Sequence, residues 1–320
     1  MPTVRPRASR LVHGVLTRPM RRDMFTRHRY DQPLGRDEVE LTWLGTAGVA
    51  LRHRDSTLLI DPYLSRPGLQ ASLTRRLRPD LDALRRHSPQ ADAIVCSHSH
   101  HDHILDVPEI ARLTGALVVG SDASANYCRA HGLPASQIIQ VDAPHTVQLG
   151  PFSVTIKPSL HGRAVAGRVP LVGTIAPGTK PPLRLREFRN DTTFGVLVEV
   201  GEGDRAVRLF HLGSADFTPE TLDGVRCDVL MPCMMGRDRR AGFTRDLVDA
   251  VRPRVVIPFH FDDFFSPLDL PIRELPGADL DGFRREVQRT GAPCRVVVLD
   301  LKGRFRFSAD DPALPPRHWD

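Results

Sequence analysis

The segment Cys96-Ser97-His98-Ser99-His100-His101-Asp102-His103 constrains this chain most tightly, because it follows directly on an apolar run from Ala91 to Val95. Its His-x-His-x-Asp-His spacing gathers ligand-type side chains at the end of a strand. Imidazole and carboxylate together hold borderline divalent metals. Along an extended chain alternate side chains share a face, so His98 and His100 can grip one ion. Where the chain then begins to coil, Asp102 and His103 turn toward a neighbouring position and can serve a second. A helix is expected just beyond, with Asp106 and Glu109 in capping-box spacing and Pro108 in the first turn. A single histidine is usually a satisfied core or surface residue. Four ligand-type residues in six positions directly after a strand point instead to metal-assisted hydrolysis.

Other candidates stand after apolar runs further along. His161 ends Phe152–Leu160, His211 and Asp216 flank the loop after Arg208–Phe210, and His260 ends Val255–Phe259. Strand ends are where α/β folds assemble their sites, so these positions are expected to converge.

The pattern of elements supports that architecture. Strands are expected over Glu38–Trp43, Val49–His53 and Ser56–Ile60, with Gly45-Thr46-Ala47-Gly48 turning the first pair. Helical patterns follow near Leu69–Leu77 and Asp80–His87, then over Val107–Thr114 and Ala123–His131. Strands are expected at Ala116–Val119, Gln137–Val141 and Phe152–Lys157. A second half repeats the theme, with strands at Thr193–Val200, Ala206–His211, Asp228–Met231 and Arg254–Pro258 and a helix around Thr244–Val251. The end reads as a helix near Leu280–Thr290 and strands Arg295–Leu301 and Arg304–Phe307. Such alternation predicts two packed mixed sheets with helices outside. Residues 162–192 are rich in Pro, Gly and Arg without periodicity, and their place after His161 predicts a substrate-facing lid.

Composition bounds the class. The chain has 320 residues, 41% hydrophobic and 26% charged, which suits a globular enzyme with a substantial core. No apolar stretch of the ~20 residues a membrane helix needs is present, and no signal-peptide core stands near the start. The five cysteines lack Cys-x-x-Cys spacing, so free thiols in a cytoplasmic, reducing compartment are expected. Of the formal net charge of +6, residues 1–30 carry +7, so the rest of the chain is close to neutral. The basic arm, taken as residues 1–36, is expected to be solvated or to pack along the edge of a hydrolase domain over 37–310. Binding of nucleic acid or anionic lipid through it is the weaker alternative. Residues 311–320 are read as a tail.

Read together, these residues resemble the metallo-β-lactamase superfamily of metallohydrolases. The resemblance is closest to the ascorbate-6-phosphate lactonase-like branch and more distant to N-acyl-phosphatidylethanolamine phospholipase D. Trp43-Leu44-Gly45-Thr46-Ala47-Gly48, Leu58-Leu59-Ile60-Asp61-Pro62, the His98–His103 loop, His161, Gly213-Ser214-Ala215-Asp216 and His260 carry it, in the family's order. It implies an αβ/βα four-layer sandwich with the site at one edge. It also implies two divalent ions: His98, His100 and His161 on the first, Asp102, His103 and His260 on the second, and Asp216 bridging them. Asp61 would support the metal loop from behind.

The chemistry that follows is attack by a metal-bridging hydroxide, with Asp102 orienting it and relaying a proton. Zinc suits the His-rich sets best, with manganese or iron as alternatives. The substrate is read as a small-molecule carboxylic ester or lactone. The alternatives are a phosphodiester of a nucleotide, nucleic acid or phospholipid, and a non-catalytic metal- or nucleic-acid-binding protein. Met234 and Phe261 are candidates for an apolar wall beside the metals, and Arg186 for an anion grip in the lid. A homo-oligomer is a further state that the sequence leaves open.

Overall fold

The computed structural model describes residues 17–319. Two seven-stranded sheets face each other. In the first, the order is Arg304–Phe307, Val39–Gly45, Gly48–His53, Ser56–Ile60, Ala93–Val95, Leu117–Gly120, Ile138–Gln140. Its leading strands run antiparallel, and from Ser56–Ile60 onward the pairing is parallel. The second sheet repeats the plan in the order Arg295–Val296, Val255–Val256, Val229–Pro232, Val207–Leu212, Thr193–Val200, Phe152–Ser159, His145–Leu149. Its last four strands form an antiparallel meander, and the pairing from Val207–Leu212 to Arg295–Val296 is parallel.

Alternation of side chains explains the layers. In Ser56–Ile60, Leu58 and Ile60 enter the core between the sheets with Val154, Val196 and Leu209, whereas Leu59 faces the helices. Those helices, Leu81–His87, Val107–Thr114 and Asp122–Ala130, bury Leu84, Ile110, Ala111 and Tyr127 against the outer face of the first sheet. Helices Phe243–Val251 and Leu280–Thr290 supply Leu247, Val248, Phe283 and Val287 to the core that includes the second sheet. The layered arrangement expected from the sequence is therefore present.

Three local expectations differ. Asp106 does not cap Val107–Thr114 with its side chain; its carboxylate turns back to accept from Leu64 N at 2.6 Å, Ser65 N at 2.8 Å and Ser65 Oγ at 2.5 Å. A one-turn helix, His101–Ile104, precedes it, so the chain is already helical at the place where a cap was expected. The strand His145–Leu149 was not foreseen because most of its residues are exposed and leave little apolar alternation. The last two parallel strands shorten to Val255–Val256 and Arg295–Val296; the first stops short of Pro258, which has no N–H for the ladder.

Both ends of the described chain lie against the body. Arg18–Pro19 pairs with Arg273–Glu274, Thr26 N donates to Val298 O, and Arg306 donates to the carbonyls of Gln32 and Pro33 while its guanidinium lies 4.6 Å from the Tyr30 ring. The first sixteen residues of the basic arm, and any nucleic-acid contact they make, lie outside the described residues. In the tail, Arg317 pairs with Asp228 at 2.8 Å. Cys96, Cys128, Cys227 and Cys233 are buried free thiols, and Cys294 is a free thiol partly exposed. No helix among the described residues is long and apolar enough to cross a membrane.

Candidate metal centre

The expected ligands converge from strand ends of both sheets. His98, His100, Asp102 and His103 follow Ala93–Val95, His161 follows Phe152–Ser159, and His260 follows Val255–Val256. Three overlapping groups of ligand atoms form, each within 4.8 Å: one donor set of His98, His100 and His161, another of Asp102, His103 and His260, and a third group, Asp61, His98 and His103, that joins an imidazole of each set. The rings of the first set stand 4.6 to 5.0 Å apart. His98 and His103, one from each set, approach to 3.7 Å.

Asp61 fixes which nitrogen each of those two rings presents. It is fully buried, and its Oδ2 accepts from His103 Nδ1 at 2.8 Å and also from Ser97 Oγ. Ser97 Oγ lies 3.1 Å from His98 Nδ1, so a single carboxylate orders both imidazoles, directly in one case and through a hydroxyl in the other. Its second oxygen takes Ser97 N at 2.6 Å, which ties down the start of the metal loop. His161 Nδ1 contacts its neighbour's carbonyl, Gly162 O, at 2.7 Å. In each case the Nε2 atom is left for a ligand.

His260 is held in an unusual backbone conformation, φ +59°, in the left-handed region that non-glycine residues seldom occupy. The Gly45–Gly48 turn accounts for it. His260 N donates to Thr46 O at 2.9 Å, and the same carbonyl accepts Trp43 Nε1 at 3.1 Å. Thr46 N donates to Asp262 Oδ1 at 2.9 Å, and the Asp262 Oδ2 atom pairs with Arg66 Nη2 at 2.5 Å. Gly45 is required here: a Cβ would fall 1.9 Å from Arg66 Nη2. Neither Arg66 nor Asp262 was marked in the sequence, since each reads as an ordinary loop charge until the fold buries the pair.

The donor set suits a divalent metal. His98 Nε2, His100 Nε2 and His260 Nδ1 are buried without a hydrogen-bond partner. Such atoms are costly unless something coordinates them. Burial and the surrounding imidazoles hold His98 well below the ordinary histidine range. Burial, with His161 beside it, brings His100 to about 3, and burial likewise brings His161 to about 4. All three are therefore neutral at pH 7, with lone pairs available. At Asp102 burial favours the neutral acid, but His101, His103 and His260 outweigh it and hold the carboxyl well below the carboxylate range. At His103 burial is likewise outweighed, by Asp61 and Asp102, which raise it.

Other candidates fall elsewhere. Asp216 joins neither donor set; its Oδ1 lies 3.7 Å from Arg240 Nε and accepts its neighbour's amide, Phe217 N, at 2.9 Å. Met234 and Phe261 are both fully buried, Met234 in the core and Phe261 on Trp43 with ring centres 4.8 Å apart. The aromatic wall is instead Phe264 and Phe265, half-buried, with Phe264 5.3 Å from the His260 ring and both near His101. His211 is structural, stacked on Phe259 and bonded to Ala47 O at 2.9 Å.

The segment 162–192 is anchored at its far end. Ser99 Oγ donates to Arg189 O at 2.7 Å, Asn126 Nδ2 to Ile175 O at 3.0 Å, and Ile175, Leu183 and Phe188 are buried. Arg184 and Arg189 donate to backbone carbonyls, while Arg186 is exposed. Nearer His161 the surface is apolar, with Leu160, Val165, Val169 and Val172 exposed.

Comparison with known proteins bears on the family and the fold. The family model described as a beta-lactamase superfamily domain matches residues 56–261. A UPF0173 metal-dependent hydrolase of Anaeromyxobacter dehalogenans is 30% identical over 246 residues, 72% of this chain and 77% of that protein. A UPF0173 protein of Pyrococcus abyssi is 27% identical over 267 residues, 82% of this chain and 97% of that one. Among solved structures, Igni18, a metallo hydrolase of Ignicoccus hospitalis, superposes with a TM-score of 0.56 at 20% identity over 84% of this chain and 98% of its own. CmlA, a diiron β-hydroxylase of Streptomyces venezuelae, also gives 0.56, at 18% identity over 87% of this chain and 55% of its own. These similarities point to the UPF0173 proteins and do not single out a lactonase-like branch.

Proposed function

The chain belongs to the beta-lactamase superfamily, among its UPF0173 metal-dependent hydrolases, and from that premise we propose that it hydrolyses a carboxylic ester or lactone of a small molecule with two divalent ions. The convergence of two three-residue donor sets, with buried imidazole nitrogens lacking any protein partner, carries the reading. His98, His100 and His161 would hold one ion and Asp102, His103 and His260 the other. Zinc fits best, because five of the six donors are imidazoles; manganese or iron remains compatible with the carboxylate. Ions so held supply Lewis acidity and make water acidic enough to attack near neutral pH.

The chain's own groups do the rest. Asp61 keeps His98 and His103 in the tautomers that offer Nε2 inward. Asp102, ionised at working pH, orients the attacking water and takes its proton on a carboxylate oxygen, later delivering it to the leaving alkoxide. Phe264 and Phe265 exclude water beside His260 and offer an apolar seat to an acyl group. That wall favours an ester or lactone over a phosphodiester. The phosphodiester reading keeps one observation in its favour: residues 161–186 carry basic side chains and no acidic one.

Metal-replete protein assayed on a lactone and ester panel beside a phosphodiester panel, each with a chelated control, tests the proposal. Chelator-sensitive turnover confined to the first panel is expected. Turnover confined to phosphodiesters, or insensitive to chelation, would overturn it.

A further inference from the structure

Two dications a few ångströms apart repel strongly in a buried site, and a carboxylate shared between them would offset much of that. Among the described residues, the acid grouped with an imidazole of each set is Asp61. His98, His100 and His161 include no carboxylate, and Asp102 belongs with His103 and His260. Asp61 reaches an imidazole of each set, but both its oxygens already accept from Ser97 and His103. Asp216 is grouped with neither set; its Oδ1 accepts Phe217 N and lies 3.7 Å from Arg240, whose guanidinium is 4.0 Å from the Phe217 ring.

Ser214 stands beside the metal loop and the turn after His161 instead. Its neighbour Gly213 is pressed so close to the metal loop that a Cβ would sit 2.1 Å from Ser97 Oγ and 3.3 Å from Asp61 Oδ2. Ser214 itself is 3% exposed, and its Oγ accepts Gly162 N at 3.0 Å, one residue beyond His161. A neutral hydroxyl engaged with an amide contributes no anionic charge to the centre.

Resting on the two-ion reading above, we propose that Ser214 leaves the centre without a carboxylate bridge, so that its two sets fill stepwise and unequally. The Asp102-His103-His260 set, which holds the one anionic donor, fills first. The all-imidazole set fills second and more weakly, against the repulsion of the ion already present.

Zinc titration of the chelator-stripped full chain by equilibrium dialysis tests this. Two steps are expected, with dissociation constants at least about 30-fold apart. Asp216→Asn should leave both within about twofold, and Ser214→Asp should tighten the second at least about tenfold, with thermal unfolding checking that the variant folds. Asp102→Asn and His100→Ala keep the assignment testable whatever Ser214→Asp does: the first should weaken the tight step, and the second should abolish only the weak one. Two indistinguishable steps in the unmodified chain, or loss of an ion in Asp216→Asn, would overturn the inference while leaving a two-ion hydrolase intact. Failure to bind zinc, manganese or iron at either set would instead remove the proposed function, and this inference with it.

Discussion

The floor of the site and its rim are built in opposite ways. At the floor, Asp61, Ser97, His103 and the Thr46 turn are buried and held by short contacts inside the protein, and His98 beside them is buried with its Nε2 atom free. At the rim, Leu160, Val165, Val169 and Val172 are exposed apolar residues next to exposed arginines at 163, 168 and 186. The floor can therefore hold reacting groups in one geometry, while the rim offers apolar and cationic surface to whatever approaches. On the proposed function, chemistry would reside in the first and selection of substrate in the second.

The largest effect should come from the floor. His103→Ala removes a donor and the partner of Asp61, and should lower kcat/KM by roughly a thousandfold, about 4 kcal/mol of lost stabilisation. A loss below tenfold in steady-state assays would show that this set is not where the reaction occurs. Asp262→Ala strands the buried Arg66 guanidinium and should cost about 3 to 5 kcal/mol in urea unfolding, because an uncompensated buried charge is left. Little change in stability would break the claim that this pair braces the His260 turn.

A third effect depends on pH. Burial raises the Asp106 carboxyl to about 6, above its ordinary 3.8, despite three hydrogen bonds from Ser65 and Leu64. The folded chain thus binds this proton more tightly than the unfolded one. The contribution is fully present below about pH 4, is lost as pH rises through about 6, and amounts to about 3 kcal/mol. Asp106→Asn keeps the acceptor for Leu64 and Ser65 and should gain relative stability by that amount between pH 4 and 7. A difference that does not vary with pH would count against it.

The smallest effect on stability should come from the rim. Val165→Ser and Arg168→Gln should alter unfolding by less than about 0.5 kcal/mol, since neither side chain is buried. Both should nonetheless raise KM several-fold with kcat nearly unchanged. Equal changes in KM and kcat would place these residues among the reacting groups and blur the division between floor and rim.

Legibility in the sequence follows the same division. The His98–His103 loop could be read because ligand spacing after a strand has few other uses, and His161 and His260 because each closes an apolar run. Strands such as Ser56–Ile60 and Thr193–Val200 and helices Val107–Thr114 and Leu280–Thr290 appear where periodicity placed them. Asp216 is not brought into either donor set, and chain order alone does not show that its Oδ1 lies 3.7 Å from Arg240. Met234 and Phe261 were ambiguous for a related reason: an apolar residue near a ligand can face the site or the core, and here both face the core. The Arg66–Asp262 pair, joined across a separation of 196 residues, has no local signature at all.

The central claim is that metal ions sit in the two donor sets. Anomalous diffraction from crystals of the zinc-loaded protein tests it directly. One peak is expected among His98, His100 and His161 and a stronger one at Asp102, His103 and His260. Zinc bound elsewhere on the chain, with neither set occupied, would contradict the account.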